Sequence, residues 1–313
     1  MKSTSRPLKR TQQNLAQLST EQVNPDSLDI DLKSSLAIAR TINAEDAKVA
    51  AAVKQALPEI GHAIDLIADA LRAGGRLIYV GAGTSGRIAA LDAVECPPTF
   101  NTPPRMVQFV IAGGAKALVA AVEANEDSRE LGRREIAKKK PGNKDVVVGV
   151  AASGRTPFTI AALQYAHRHG AKTISVTCNR NSPLEKAADL AIVAEVGPEV
   201  VSGSTRMKAG TAQKMILGTL STGAMTRLGY VYGNLMVNVH LKNEKLVERG
   251  VSILRHATGV DRKEAQRILK QAGNKVPVAL VMLEAKASRT DAERALNESG
   301  GDVRRAIVQA LLA

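Results

Sequence analysis

Tryptophan is absent and aromatic residues make up only 2% of the 313 residues. Modules that read nucleic acids by stacking bases on aromatic side chains are therefore not expected. Only two cysteines occur, Cys96 and Cys178, far apart and outside any Cys-x-x-Cys spacing. That excludes a disulfide framework and a cysteine metal knuckle. The five histidines, His62, His167, His169, His240 and His256, show no ligand spacing, so no metal site is expected. No run of about 18 apolar residues is present, which leaves no membrane-spanning helix. The N-terminus carries charge without an apolar segment, so a secretory signal is not expected and the cytoplasm is the expected compartment.

What is present reads as an ordinary globular chain, 44% hydrophobic and 23% charged. Lys and Arg total 43 against 30 Asp and Glu, a net charge of +13. Such a field favours phosphorylated small molecules as partners. Part of the charge lies in Lys2, Arg6, Lys9 and Arg10, and part in Arg133, Arg134, Lys138, Lys139 and Lys140. These positions read as solvated basic surface, and nucleic acid is not an expected partner.

Residues 1–18 read as a disordered basic tail and residues 19–59 as an N-terminal helical segment, with helix near 32–43 and again over 47–72. From there to residue 246, short apolar runs alternate with helical stretches: strands at 76–80, 106–112, 145–151, 173–177 and 190–194, and a long helix over about 205–227. Apolar strands separated by helices predict a doubly wound parallel sheet, an α/β fold, with ligands at the carboxyl ends of the strands. Residues 247–313 predict a small all-α bundle, with capping boxes at Asp261-x-x-Glu264 and Thr290-x-x-Glu293.

The run Leu77-Ile78-Tyr79-Val80-Gly81-Ala82-Gly83-Thr84-Ser85-Gly86 takes a strand through small residues into a helix. Free backbone N–H groups at such a junction hold an anion. Gly81, Gly83 and Gly86 spell the dinucleotide pattern GxGxxG, but that reading needs an acid at the tip of the next strand. The next strand instead ends Val110-Ile111-Ala112-Gly113-Gly114. No Lys-Ser/Thr follows the glycines, so a nucleoside triphosphate loop is not supported either. A second turn, Ser153-Gly154-Arg155-Thr156, opens another helix at a strand end. Either turn alone reads as an N-cap. Together they predict a clamp on one phosphate monoester, with Gly83, Thr84, Ser85, Ser153, Gly154, Arg155 and Thr156 as its residues.

This pair of turns resembles the sugar isomerase (SIS) family of phosphosugar-binding domains. The longer runs Leu91-Asp92-Ala93-Val94-Glu95-Cys96-Pro97-Pro98-Thr99, Asn125-Glu126-Asp127-Ser128-Arg129, Gly203-Ser204-Thr205-Arg206-Met207-Lys208-Ala209-Gly210 and Tyr232-Gly233-Asn234-Leu235-Met236-Val237 resemble the N-acetylmuramic acid 6-phosphate etherases. The resemblance covers nearly the whole chain from about Thr20. Val94 departs from it, where a small polar residue is expected.

The resemblance implies an SIS domain over 60–246 and a C-terminal module similar in shape to ubiquitin-associated (UBA) domains. It also implies a carbon–oxygen lyase that releases D-lactate and N-acetylglucosamine 6-phosphate by elimination and then hydration, in amino-sugar catabolism and peptidoglycan recycling. No cofactor is required. Glu95 is implied as the proton donor to departing lactate, and Glu126 as the second acid/base residue. Asp92 and Asp127 are expected as neighbours, and Glu199 is a further candidate for the pocket wall. Cys96, followed by two prolines that should stop its helix, reads as a packed thiol. By analogy with SIS domains a homodimer is expected. The alternatives are a non-catalytic phosphosugar-sensing regulator and an SIS aldose–ketose isomerase.

Overall fold

A computed structural model of the chain describes residues 18–120, 122, 125–241 and 243–312. The tail expected over 1–18 lies, Leu18 apart, outside the described residues. Two helices precede the sheet, α1 (Ser35–Gln55) and α2 (Leu57–Arg72). The Ser34 hydroxyl accepts the Ala37 N–H at 3.4 Å and starts α1. The break falls at Ala56, just before Pro58 in the first turn of α2, where its missing N–H costs nothing. The sequence reading put that break near residues 44–46 and overlooked Pro58. The boundary expected between residues 59 and 60 lies inside α2. Gly74, at φ +80°, then turns the chain into the sheet.

The sheet elements are β1 (Leu77–Gly81), β2 (Val107–Ile111), β3 (Val146–Val150), β4 (Lys172–Thr177) and β5 (Leu190–Val193). All pairs are parallel, in the order β2-β1-β3-β4-β5. The crossover helices are α3 (Gly83–Phe100), the short α4 (Lys116–Val119), α5 (Arg129–Ala137) and α6 (Pro157–Arg168). The long α7 (Lys208–Arg227) follows β5.

Side chains alternate across the sheet, as a pleated strand requires. Leu77, Tyr79, Val146, Val148 and Val150 enter one core with α1, α2, α3 and α7. Ile78, Val80 and Val147 enter the other, with Ile136 of α5 and Phe158 and Leu163 of α6. β1 and β3 are buried along their whole length. Each such side chain contributes roughly 1.5–3 kcal/mol by leaving water.

The remaining elements are a hairpin of β6 (Val231–Tyr232) and β7 (Leu235–Met236) and five helices. These are α8 (Glu244–Thr258), α9 (Arg262–Gln271), α10 (Val276–Ala285), α11 (Arg289–Glu298) and α12 (Val303–Leu312). They share a core of their own around Leu254, Leu269, Leu280 and Ala306. Asp261 caps α9 as expected, accepting the Glu264 N–H at 2.8 Å. The cap of α11 is Ser288, which accepts from Asp291 at 3.2 Å, and not Thr290. Both sites have a hydroxyl with an acid three residues on, and the loop geometry decides between them. Among the described residues no helix is long and apolar enough to cross a membrane.

Candidate active site

The strand order reverses between β1 and β3, which places a crevice at their carboxyl ends. A cavity of about 520 Å³ lies there. Gly83, Thr84 and Ser85 wall one side and Ser153 and Thr156 another. Both turns predicted from sequence therefore meet in one place.

Each turn is shaped by a glycine that a side chain could not replace freely. Gly83 adopts φ +51°, and the residue before it, Ala82, has no side chain that could cap α3. Ala82 thus leaves the start of this 18-residue helix without a side-chain cap of its own, at the end where the helix dipole favours an anion. Gly86 lies so close to β2 that a Cβ there would come within 2.6 Å of Ile111 Cγ1. That explains the third glycine of the pattern as helix–strand packing, without a dinucleotide. In the second turn Gly154 has φ +65°, and a Cβ there would lie 2.3 Å from Ser182 Oγ. Thr156 starts α6 without a side-chain cap, and Ser153 Oγ accepts the Arg155 N–H at 3.2 Å.

Glu126 reaches the same cavity from the loop after α4. Its carbonyl accepts the Phe158 N–H at 3.0 Å, which ties the loop to the first turn of α6. Its carboxylate lies against the first turn: a Cβ on Gly83 would be 2.8 Å from Oε1. A carboxylate thus sits beside the first turn. Arg87, also at the cavity, donates to the carbonyls of Ala117 and Ala120 at 2.8 Å and so fixes the loop around α4.

Gly154 and Arg155 do not line the cavity: the glycine is buried against Ser182 behind it, and Arg155 stands half-buried at the side. Glu95 does not line it either. It is exposed on α3, about 15 Å along the helix axis from Ser85. Its neighbours Leu91 and Val94 are 51% and 54% exposed. The helix does not stop at Pro97-Pro98 but runs to Phe100, where Asn101 at φ +53° ends it. The prolines forgo bonds to the carbonyls of Ala93 and Val94, and the buried Cys96 and Phe100 on either side of them pack the last turn into the core.

The buried side of α3 carries a polar network. Tyr79 Oη donates to Asp92 at 2.8 Å and Ser221 Oγ donates to its other oxygen at 2.9 Å. Burial raises the Asp92 carboxyl despite these bonds. Burial first, and then the charge of Asp92, pushes the Cys96 thiol up to about 12, so it is a protonated, packed thiol rather than a nucleophile.

Glu199 is not a pocket residue. It is fully buried and accepts the N–H groups of Lys208 and Ala209 at 2.9 and 3.0 Å, capping α7 from outside the helix. The Lys208 ammonium beside it is buried too, and pairs with Glu45 of α1. Burial alone would raise the Glu45 carboxyl, but hydrogen bonds from Lys208 and Lys48 outweigh it and hold the pKa at about 2.

Asp127, the expected neighbour of Glu126, lines the cavity, and two polar residues outside the predicted set reach it from distant segments: Glu21 and Thr205. Thr205 falls within one of the runs singled out in the sequence, whereas nothing local to Glu21 marks it. A second cavity, about 990 Å³, lies between the end of α3, the β6–β7 hairpin region and the helical bundle, lined by Asn101, Asn238 and His240 among others. It shares no residue with the first. Among the described residues no group of three or more His, Cys, Asp or Glu is arranged to hold a metal ion.

Comparison with known proteins places this geometry. Residues 59–167 match the model of the glucokinase regulatory protein N-terminal SIS domain, and residues 140–222 match that of the SIS domain. The chain is 49% identical over 94% of its length to the N-acetylmuramic acid 6-phosphate etherase of Klebsiella aerogenes, covering 98% of that protein. It is 57% identical over 87% of its length to that of Symbiobacterium thermophilum, covering 90% of it. With the Aeromonas hydrophila etherase it shares 51% identity over 92% of this chain and 97% of the relative. The chain belongs to the N-acetylmuramic acid 6-phosphate etherase family. The stretch 59–167 that matches the first domain model contains both turns, Glu95 and Glu126. Among solved structures, a phosphoheptose isomerase from Francisella tularensis is 18% identical, with a TM-score of 0.49, over 62% of this chain and 100% of that one.

Proposed function

We propose that this chain, like the etherases it resembles, cleaves the ether joining D-lactate to C3 of N-acetylmuramic acid 6-phosphate, giving N-acetylglucosamine 6-phosphate and D-lactate. The observation that carries the reading is the contact of the Glu126 carboxylate with Gly83, which puts an acid/base group within one residue of an anion-binding helix start. The hydroxyls of Thr84, Ser85, Ser153 and Thr156 and the first N–H groups of α3 take the phosphate. Binding energy spent there positions the distant carbons that react. Arg155 and Gly154 serve the phosphate turn from outside the cavity, one by its charge and the other by its shape.

The chemistry is an elimination followed by a hydration. With the sugar open to the aldehyde, the C2 proton is acidic. Glu126 takes that proton, the C2–C3 double bond forms, and lactate leaves C3 with a proton from Glu95. Glu95, now ionised, removes a proton from water as its oxygen bonds to C3, and Glu126 returns a proton to C2. The net change is one water added, one ether bond broken, with no cofactor and no metal. Each proton transfer is worth about 10²–10⁴ in rate.

Glu95 acts in this scheme from a second copy of the chain. Its distance from the cavity and its place beside exposed Leu91 and Val94 support a homodimer in which α3 of one copy faces the pocket of the other. We place the reaction in the cytoplasm, where the two unpaired cysteines would stay reduced.

Incubation with N-acetylmuramic acid 6-phosphate is expected to release D-lactate, and in H₂¹⁸O to leave the label on C3 of the sugar. Label in lactate would overturn the mechanism, and C2 exchange without lactate would make the chain an isomerase. E95Q and E126Q are each expected to lose about 10²–10⁴ in turnover. Mixed dimers of E95Q with E126Q should regain activity, because one pocket then holds both native carboxylates. Mixtures as inactive as their parents would place both groups in one chain.

A further inference from the structure

The rim of the cavity is closed by a piece of chain that belongs to neither turn. The 3₁₀ turn Ser19–Glu21 lies across the ends of β3 and β4 and the loop before α7. On one side Ser19 donates from its N–H and its hydroxyl to Asn179 Oδ1, both at 3.0 Å. Asn179 in turn donates to Thr20 Oγ1 at 3.1 Å and to the carbonyl of Ala152, a cavity residue, at 3.0 Å. Thr20 is wholly buried in this join. On the other side Ser202 Oγ donates to the carbonyls of Glu21 and Gln22 at 3.3 Å, and Ser27 Oγ donates to the Val200 carbonyl at 2.7 Å. The strap therefore fastens the Ser153 turn to the loop that supplies Thr205.

The fastening uses the backbone of Glu21 and the side chains of its neighbours. The Glu21 carboxylate takes no part in it. Instead it lines the cavity, with Oε2 3.4 Å from where a Cβ on Gly203 would stand. A carboxylate in a cavity built around an anion opposes that anion, so its presence there needs a different reason. Its oxygens only accept hydrogen bonds. What suits it is a neutral donor on the ligand, set away from the phosphate.

We infer that Glu21 is a substrate-binding residue that accepts a hydrogen bond from the sugar portion of the phosphosugar, a hydroxyl or the acetamido N–H. It thereby sets which end of the ligand lies at the turns and selects sugar phosphates over phosphate itself. This rests on reading the cavity as a phosphosugar site. Glu21 adds a counter-selective element to it: phosphate alone meets only repulsion from the strap, whereas a sugar phosphate turns the same group into a partner.

The test compares E21A and E21Q with the unmodified protein by calorimetric binding of three ligands: N-acetylglucosamine 6-phosphate, glucose 6-phosphate and inorganic phosphate. A hydrogen bond to a charged acceptor is worth about 10–100-fold in affinity. E21A is expected to lose that factor for the sugar phosphate, and E21Q, which keeps one acceptor, to lose less. Both should hold inorganic phosphate as tightly as before or more tightly. Equal losses for the two sugars assign the donor to a hydroxyl, and a loss confined to the acetylated sugar assigns it to the amide N–H.

A strap that only props the turns would weaken inorganic phosphate and both sugars by one common factor, and that result overturns the inference. Unchanged sugar binding in E21A overturns it as well. Binding does not require turnover, so a protein that binds these ligands yet releases no lactate would fail the proposed reaction and leave the Glu21 result standing.

Discussion

At the end of β1 the glycine of the turn has its open side toward the cavity, and what fills the space where its side chain would be is the carboxylate of Glu126. At the end of β3 the glycine of the second turn has its open side toward the protein, and the space is filled by Ser182 and Thr177. The two turns carry similar residues and each uses a left-handed glycine. One is nevertheless shaped by the carboxylate proposed as the acid/base group, and the other by the scaffold behind it. Similar sequence text therefore marks two different dependencies, and substitution should separate them.

The largest effect is expected at the first turn. G83A places a methyl group 2.8 Å from Glu126 Oε1, so the carboxylate must move. Turnover should fall by about 10²–10⁴, as if Glu126 itself were lost. The left-handed backbone adds about 1–2 kcal/mol of instability. Steady-state lactate release beside a thermal melt reads both numbers. A melt that collapses while the remaining folded protein keeps its rate would erase the distinction between the turns.

At the second turn the order should invert. G154A drives a methyl group to 2.3 Å from Ser182 Oγ and 2.8 Å from Thr177 Oγ1, both buried. Overpacking of this kind costs about 1–3 kcal/mol. A denaturant titration should show that loss, with turnover per folded molecule reduced less than in G83A. Adding S182G should return part of the stability, since it removes both atoms in the way, Ser182 Oγ and Cβ. If the double variant is no more stable than G154A alone, Ser182 is not what shapes the turn.

A smaller effect, on the fold rather than on either turn, is expected from the buried ion pair that joins α1 to α7. The Glu45 carboxyl has its pKa depressed to about 2 in the folded chain, from 4.5. A depressed carboxyl stabilises the fold above its unfolded pKa and loses that contribution as pH falls through the folded one. The melting temperature should therefore drop between about pH 4.5 and about pH 2 more steeply in the native protein than in E45Q. The check is a set of melts across that range, and identical slopes would remove Glu45–Lys208 from the account.

Much of this molecule was legible in its residues, and the exceptions have a common physical cause. β1 and β3 were readable because a strand buried on both faces must be apolar throughout. The turns were readable because small residues between a strand and a helix leave few other conformations. The break before Pro58 and the persistence of α3 through Pro97-Pro98 were misjudged because a proline's cost depends on where in a helix it falls. Glu21 and Thr205 were invisible as site residues because their meeting with Ser153 depends on strand order, which no local spacing encodes. Glu95 and Glu126 stood out only through the family resemblance. The fold explains the placement of Glu126, whereas Glu95 is exposed away from the cavity of its own chain.

The unbroken course of α3 has a mechanical consequence. Eighteen residues make a rod of about 27 Å. Its first residues form the anion-binding turn, and at its far end the Phe100 carbonyl is gripped by Asn238 Nδ2 at 2.7 Å, beside the larger cavity. A lever of that length converts a tilt of roughly 5° at the turn into a travel of about 2 Å at the Asn238 grip. One rigid element thus joins the small pocket to the groove beside the C-terminal helices.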